Sequence, residues 1–140
     1  MTSAPTIVVA AIAFHRADGT VLTVRKRGTS AFMLPGGKPE AGESAVDTAL
    51  REVREELGIV LRPSDLRLVG AFATHAANEA GHVLHATVFE TEADVEPAVQ
   101  AEIEEARWVA PGAAIHDASQ APLNREHVFP LLAARTPHAS

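Results

Sequence analysis

Three glutamates, Glu52, Glu55 and Glu56, crowd one short stretch of this sequence, with Arg51 and Arg54 beside and between them. At about 100° per residue, a helix through the stretch puts Val46, Ala49, Leu50, Val53 and Leu57 on one stripe, with the three carboxylates about 130° from its centre. One face packs and the other gathers charge. Like charges this close repel unless a cation sits among them, and hard oxygen ligands of this kind suit Mg²⁺ or Mn²⁺. A solvated acidic face, paired with Arg51 and Arg54 at helical spacing, is the plainer alternative. That alternative leaves Pro35-Gly36-Gly37 unexplained, whereas a site for metal and phosphate uses glycines to bring backbone groups close.

The helix carries its own end signals. Ser44 with Asp47 three places on approximates a capping box, and Gly58 suits the left-handed position that ends a helix. From Gly37 to Ile59, the residues Gly37, Glu43, Arg51, Glu52, Val53, Glu55, Glu56, Gly58 and Ile59 match the pattern Gly-x5-Glu-x7-Arg-Glu-U-x-Glu-Glu-x-Gly-U, with U a bulky aliphatic. On these residues the chain resembles the Nudix hydrolases, which cleave nucleoside diphosphates linked to another group. The resemblance implies an α/β fold of the Nudix type, an α/β/α sandwich with a mixed sheet, and hydrolysis of a phosphoanhydride bond with Mg²⁺ or Mn²⁺. It also implies roles: Glu52, Glu55 and Glu56 as metal-site carboxylates, Gly36 offering its carbonyl, Arg51 orienting the glutamates and Glu43 structural or outer-shell. Lys38, directly after the glycines, is placed to reach a phosphate or stay solvated. Glu102, Glu104 and Glu105 are expected in the loop before Trp108, where family members place a further metal-binding or base carboxylate. Spacing to the tryptophan favours Glu102, so Glu52 and Glu102 both stand as candidates for the general base.

Arg25, Lys26 and Arg27 alternate at the end of a strand, so that Arg25 and Arg27 share a face and Lys26 takes the other. One face is expected to meet phosphate, with Arg25 and Arg27 as the assigned ligands; a charged strand end that keeps an edge soluble is the alternative. His82 and His85, three apart in a strand, project to opposite faces and form no chelating pair. His75 faces either the cleft or solvent, and Trp108 fills core or cleft wall.

Within the resemblance, the chain lacks any tyrosine, which removes the mark of diadenosine-polyphosphate hydrolases. The proline expected about 16 residues after the box in ADP-ribose pyrophosphatases is also missing, as is the NADH-pyrophosphatase segment. A nucleoside triphosphate, with an oxidised purine among the choices, is the favoured substrate by exclusion. ADP-ribose or a nucleotide sugar, or a silent nucleotide-sensing module, are the alternatives; a transcriptional regulator would need a basic DNA-binding domain. Ala121–Glu126 resembles the stretch in which an asparagine of MutT-like members reads the purine edge. Asn124 is therefore either a base reader, offering donor and acceptor, or a cap on the last helix.

The elements that must hold these residues are legible from pattern. Ile7–Phe14 and Val21–Arg25 read as a hairpin around Asp18-Gly19, and Gly28–Phe32 as a mobile loop. Pro63-Ser64-Asp65 breaks the chain before a strand over Leu66–His75. Ala76–Gly81 is a turn or loop, Val83–Glu90 and Ala106–Val109 are strands around an acidic, Pro97-containing connection, and Leu123–Arg135 is a closing helix. With 140 residues and 46% hydrophobic content, one domain over 1–140 with a flexible tail at 136–140 is expected. A net charge of −6 argues against nucleic-acid or membrane partners, leaving a small-molecule nucleotide and a monomer or homodimer. With no cysteine and no span-length apolar run, the expected location is cytoplasmic.

Overall fold

The computed structural model describes residues 5–77, 80–93, 96–100 and 102–135; the tail expected at 136–140, and parts of the two connections around 78–79 and 94–95, lie outside them. Strand β1 (Thr6–His15) alternates its side chains across a mixed sheet. Ala10, Ile12 and Phe14 enter one apolar cluster, and Ala11 and Ala13 enter another on the opposite face, as the two-residue period of a strand buried on both sides requires. β1 turns through Arg16–Thr20 into β2 (Val21–Lys26), the expected hairpin. It pairs in parallel with β5 (Val83–Glu92) and antiparallel with the two-residue strand β3 (Gly36–Gly37). β4 (Arg67–His75) flanks β5, and β6 (Ile103–Val109) flanks β2, both antiparallel.

Helix α1 (Ala45–Leu57) covers the first cluster through Ala49, Val53 and Leu57. Its ends form as the residues dictate: Ser44 and Asp47 make a reciprocal capping box, and Gly58 ends the helix at φ 68°, a left-handed conformation that costs glycine little. The second cluster is covered by α2 (Pro111–Ala114), a π-helical turn (Leu123–Val128) and α3 (Phe129–Arg135). The result is the α/β/α sandwich with mixed sheet.

Three expectations change. The loop expected over Gly28–Phe32 ends in a buried Phe32 bridged to Gln120, with Met33 bridged to Val24. β6 begins at Ile103, not Ala106, so Glu104 and Glu105 are strand residues, paired along β2 to Lys26; their side chains form ion pairs with Arg27 and Arg25. The closing helix starts as a π-helical turn, a form that is often found at functional sites. Among the described residues no helix is long and apolar enough to cross a membrane.

Candidate active site

The site is built where α1 passes beneath β3. A Cβ on Gly37 would lie 2.5 Å from the Glu52 carboxyl carbon, and one on Gly36 would collide with the Ala10 carbonyl oxygen. Only glycine lets the backbone run between strand and helix at these two positions. The Gly36 N–H donates to Glu56 Oε1 at 3.2 Å.

Arg51 organises the rest. Its Nε and Nη2 donate to the two oxygens of Glu43 at 2.7 and 2.9 Å, Nη2 also reaches the Lys38 carbonyl, and Nη1 donates to Glu52 at 2.8 Å. Glu55 lies 3.4 Å from the same Nη1. Glu43 accepts in addition from Thr48 and from the Glu40 N–H. The hydrogen bond from Arg51, then that from Glu40, hold the Glu43 carboxyl down to about 2, and the same pairing holds the Arg51 guanidinium above its usual range. Glu43 is thus a strut that fixes Arg51, and Arg51 aligns two glutamates.

The three carboxylates do not share one environment. Glu55 is exposed, Glu52 half-buried and Glu56 only 5% exposed. A face of three exposed carboxylates is therefore corrected at Glu56. Its own helical angle is about 80° from the centre of the apolar stripe, nearer than the average of the three, and β3 covers that flank. Burial pushes the Glu56 carboxyl up to about 8, with Lys26 opposing the rise and Glu52 adding to it. The Lys26 ammonium is 3.9 Å from Glu56 Oε2.

Among the described residues no three acid or imidazole groups form a ready-made cation cage, because Arg51 engages Glu52 and Glu55 while Gly36 and Lys26 engage Glu56. The donor chemistry nevertheless fits a hard divalent ion. Glu52 and Glu56 are neighbouring carboxyls, Glu56 being buried and holding its proton near neutral pH, and a cation that replaces that proton relieves both the burial and the repulsion. Glu52, Glu55, Glu56 and the Gly36 carbonyl are the residues that would hold it.

A cavity of about 320 Å³ opens beside the glycines. Lys26, Gly36, Gly37 and Lys38 line one part; Ile7, Val9, Met33, Leu84 and Leu123 line an apolar part, with His75 and Asn124. Lys38 and Asn124 both line the cavity. Arg25 and Arg27 are not: Arg25 engages Glu105 and the Thr29 carbonyl, and Arg27 lies 2.7 Å from Glu104. A bulge between Arg25 and Lys26 re-aims the strand end, so Lys26 lines the cavity instead. Glu102 is exposed just ahead of β6 and outside the cavity lining. Its backbone is anchored, since its carbonyl accepts from the Arg27 N–H.

Asn124 is not a cap. It lies inside the π-helical turn, whose N-cap is Pro122, and is fully buried. Its Nδ2 donates to Gln120 Oε1 at 3.0 Å and to the Phe32 carbonyl at 3.3 Å, while its Oδ1 is buried without a partner. Sequence reasoning missed Gln120 and the Phe32 carbonyl, a residue four places away and a backbone group from a distant loop. Trp108 packs against the α1-side cluster with the Arg16 guanidinium 3.9 Å over its ring.

A family model for the NUDIX domain matches residues 4–132. A Nudix hydrolase of Pseudomonas aeruginosa, itself uncharacterized, is 38% identical over 109 residues, covering 72% of this chain and 62% of that one. An RNA pyrophosphohydrolase of Halorhodospira halophila is 43% identical over 54 residues, 39% of this chain and 29% of that one. The chain spans less than two thirds of the length of these curated relatives. A solved MutT protein from Methanosarcina mazei Go1 has the same fold, with a TM-score of 0.79 at 23% identity over 96% of this chain and 97% of the other. With the box helix, its glycine approach and a family match over residues 4–132, the chain belongs to the Nudix family.

Proposed function

We propose that the chain is a Mg²⁺- or Mn²⁺-dependent pyrophosphohydrolase that cleaves a phosphoanhydride bond of a nucleoside triphosphate, giving the monophosphate and pyrophosphate. The observation that carries this reading is the composition of the cavity, which joins a cationic, glycine-lined part to an apolar part with a buried amide. The first suits phosphates and the second suits a base. When bound, a divalent ion neutralises charge on phosphate oxygens and makes water more acidic. Lys26 and Lys38 meet the phosphate chain, Arg51 keeps Glu52 and Glu55 in place, and Glu52 or Glu102 takes the proton of the attacking water. The water oxygen bonds to phosphorus, and the bridging oxygen leaves with the other phosphoryl group.

Purified protein with Mg²⁺ is assayed against nucleoside triphosphates, ADP-ribose and nucleotide sugars. A triphosphate cleaved best, to monophosphate and pyrophosphate, supports the reading; ADP-ribose or a nucleotide sugar cleaved best replaces the triphosphate while leaving the metal-dependent diphosphohydrolase. Asn124→Ala lowers discrimination among bases by about 1–3 kcal/mol in kcat/KM, the cost of an unpaired polar edge. If base preference is intact and only the melting temperature falls, Asn124 is structural.

A further inference from the structure

We infer that the outer edge of β4 is an interface between two copies of this chain, paired antiparallel about a two-fold axis at Ala73. β4 and β6 are the two edges of the sheet. β6 carries Glu104, Glu105 and Arg107, charges of the kind that keep a strand edge from pairing. β4 carries neither charge nor proline from Leu68 to Thr74. The Ala76 N–H donates to the His82 carbonyl, so the main chain of Ala76 faces β5. In the register that follows, Gly70, Phe72 and Thr74 face β5 as well, and the alternation of an antiparallel ladder turns the main chain of Ala71, Ala73 and His75 outward. All three are exposed, and no other described residue takes their N–H or C=O groups. Six unpaired main-chain groups in a row are a template for another strand.

The row has defined ends. A bulge between Leu68 and Gly70 interrupts it on one side, and β4 stops at His75 on the other. One self-pairing uses all six groups, with Ala73 opposite the partner's Ala73 and Ala71 opposite the partner's His75. Such a surface is its own complement, as a two-fold interface requires. Charge selects the occupant. With a net charge of −6, two copies repel wherever carboxylates face one another. At this edge the side chains are two alanines and a histidine, and on the same face of the sheet Leu68 and Val8 are exposed at 62% and 53%. His75 also lines the cavity, so the partner's strand runs beside the site. The inference does not depend on which substrate the site takes.

Sedimentation equilibrium of the wild-type chain, across micromolar concentrations, gives twice the monomer mass. Ala73→Pro removes one outward N–H and leaves the β4–β5 ladder whole, a change that edge strands tolerate. It raises the dimer dissociation constant about tenfold or more. Ala73→Glu and Ala73→Lys each set like charges face to face across the axis and sediment as monomers; mixed in equal amounts, they form a heterodimer. Circular dichroism and melting temperature check that each variant folds, and if Ala73→Pro does not, the charged pair still decides. A monomeric wild type overturns the inference and leaves the edge to an extended peptide of another protein. A dimer that survives both charged variants overturns β4 as the interface, and charged variants that stay monomeric when mixed overturn the axis at Ala73.

Discussion

Two glutamates of this chain are buried alike and behave in opposite ways. Glu90, on β5, is 1% exposed, and Glu56, on α1, is 5% exposed. Burial pushes the Glu90 carboxyl up, but hydrogen bonds from Arg135 (2.7 and 2.8 Å) and Arg67 (2.9 Å) outweigh it and leave the group below its ordinary range. His15 Nε2 lies 3.3 Å from the same carboxylate. Burial, then the nearby arginines, act against Glu90's pull and lower the His15 ring. Glu56 has one backbone N–H and an ammonium at 3.9 Å, and burial wins. Two guanidiniums make a structural carboxylate that ties β4 and α3 to β5; too few committed partners leave a carboxylate that can exchange its proton for a cation.

The sharpest way to break this contrast is to neutralise each glutamate. Glu56→Gln lowers turnover by about 100-fold or more, beyond the 10–100-fold typical of residues that only orient ligands, and leaves the metal-free fold intact, since an amide is easier to bury than a carboxylate. Turnover and melting temperature check this together. Wild-type rates in Glu56→Gln and Glu55→Gln would remove the metal-site assignment.

Glu102 sharpens the comparison from outside, being an exposed carboxylate chosen by spacing alone. With saturating metal, Glu102→Gln lowers kcat about 100-fold, the low end for a general base, while Glu104→Gln and Glu105→Gln leave it nearly unchanged. Small equal effects in all three return Glu102 to solvent and leave Glu52 as the base.

Glu90→Gln acts on stability alone. It costs about 1–2 kcal/mol, the lower part of the range for a lost buried acceptor, because Arg67 and Arg135 stay partly solvated. Denaturant unfolding measures the cost; a loss of turnover in the folded variant would end the structural reading.

The smallest expected effect is in the pH dependence of melting temperature without metal. Glu56, raised from 4.5 to about 8, contributes stability that is full below 4.5 and lost as pH rises through about 8. Glu90, lowered from 4.5, contributes stability present above 4.5 and lost as pH falls through its folded value. Glu56→Gln flattens the alkaline arm and Glu90→Gln the acid arm. Mn²⁺ raises the melting temperature more at pH 9 than at pH 5, because it competes with a proton. An alkaline arm unchanged in Glu56→Gln contradicts the assignment.

The sequence by itself determined the box helix and its two caps, because capping, helical periodicity and glycine punctuation act within a few residues. The other strands and the closing helix were legible from β-rich runs and turn signals, whereas the two-residue β3 and the short α2 were not. What only the tertiary structure decided depends on contacts between segments far apart in the chain. Covering by β3 turns Glu56 from an exposed charge into a buried one. A bulge against β6 sends Lys26, and not Arg25 or Arg27, to the cavity. Backbone pairing of Arg25 with Glu105 and of Lys26 with Ile103 lengthens β6. The Phe32 carbonyl fixes which end of the Asn124 amide is left over, and no local pattern encodes the orientation of an amide held by a backbone group from a distant loop.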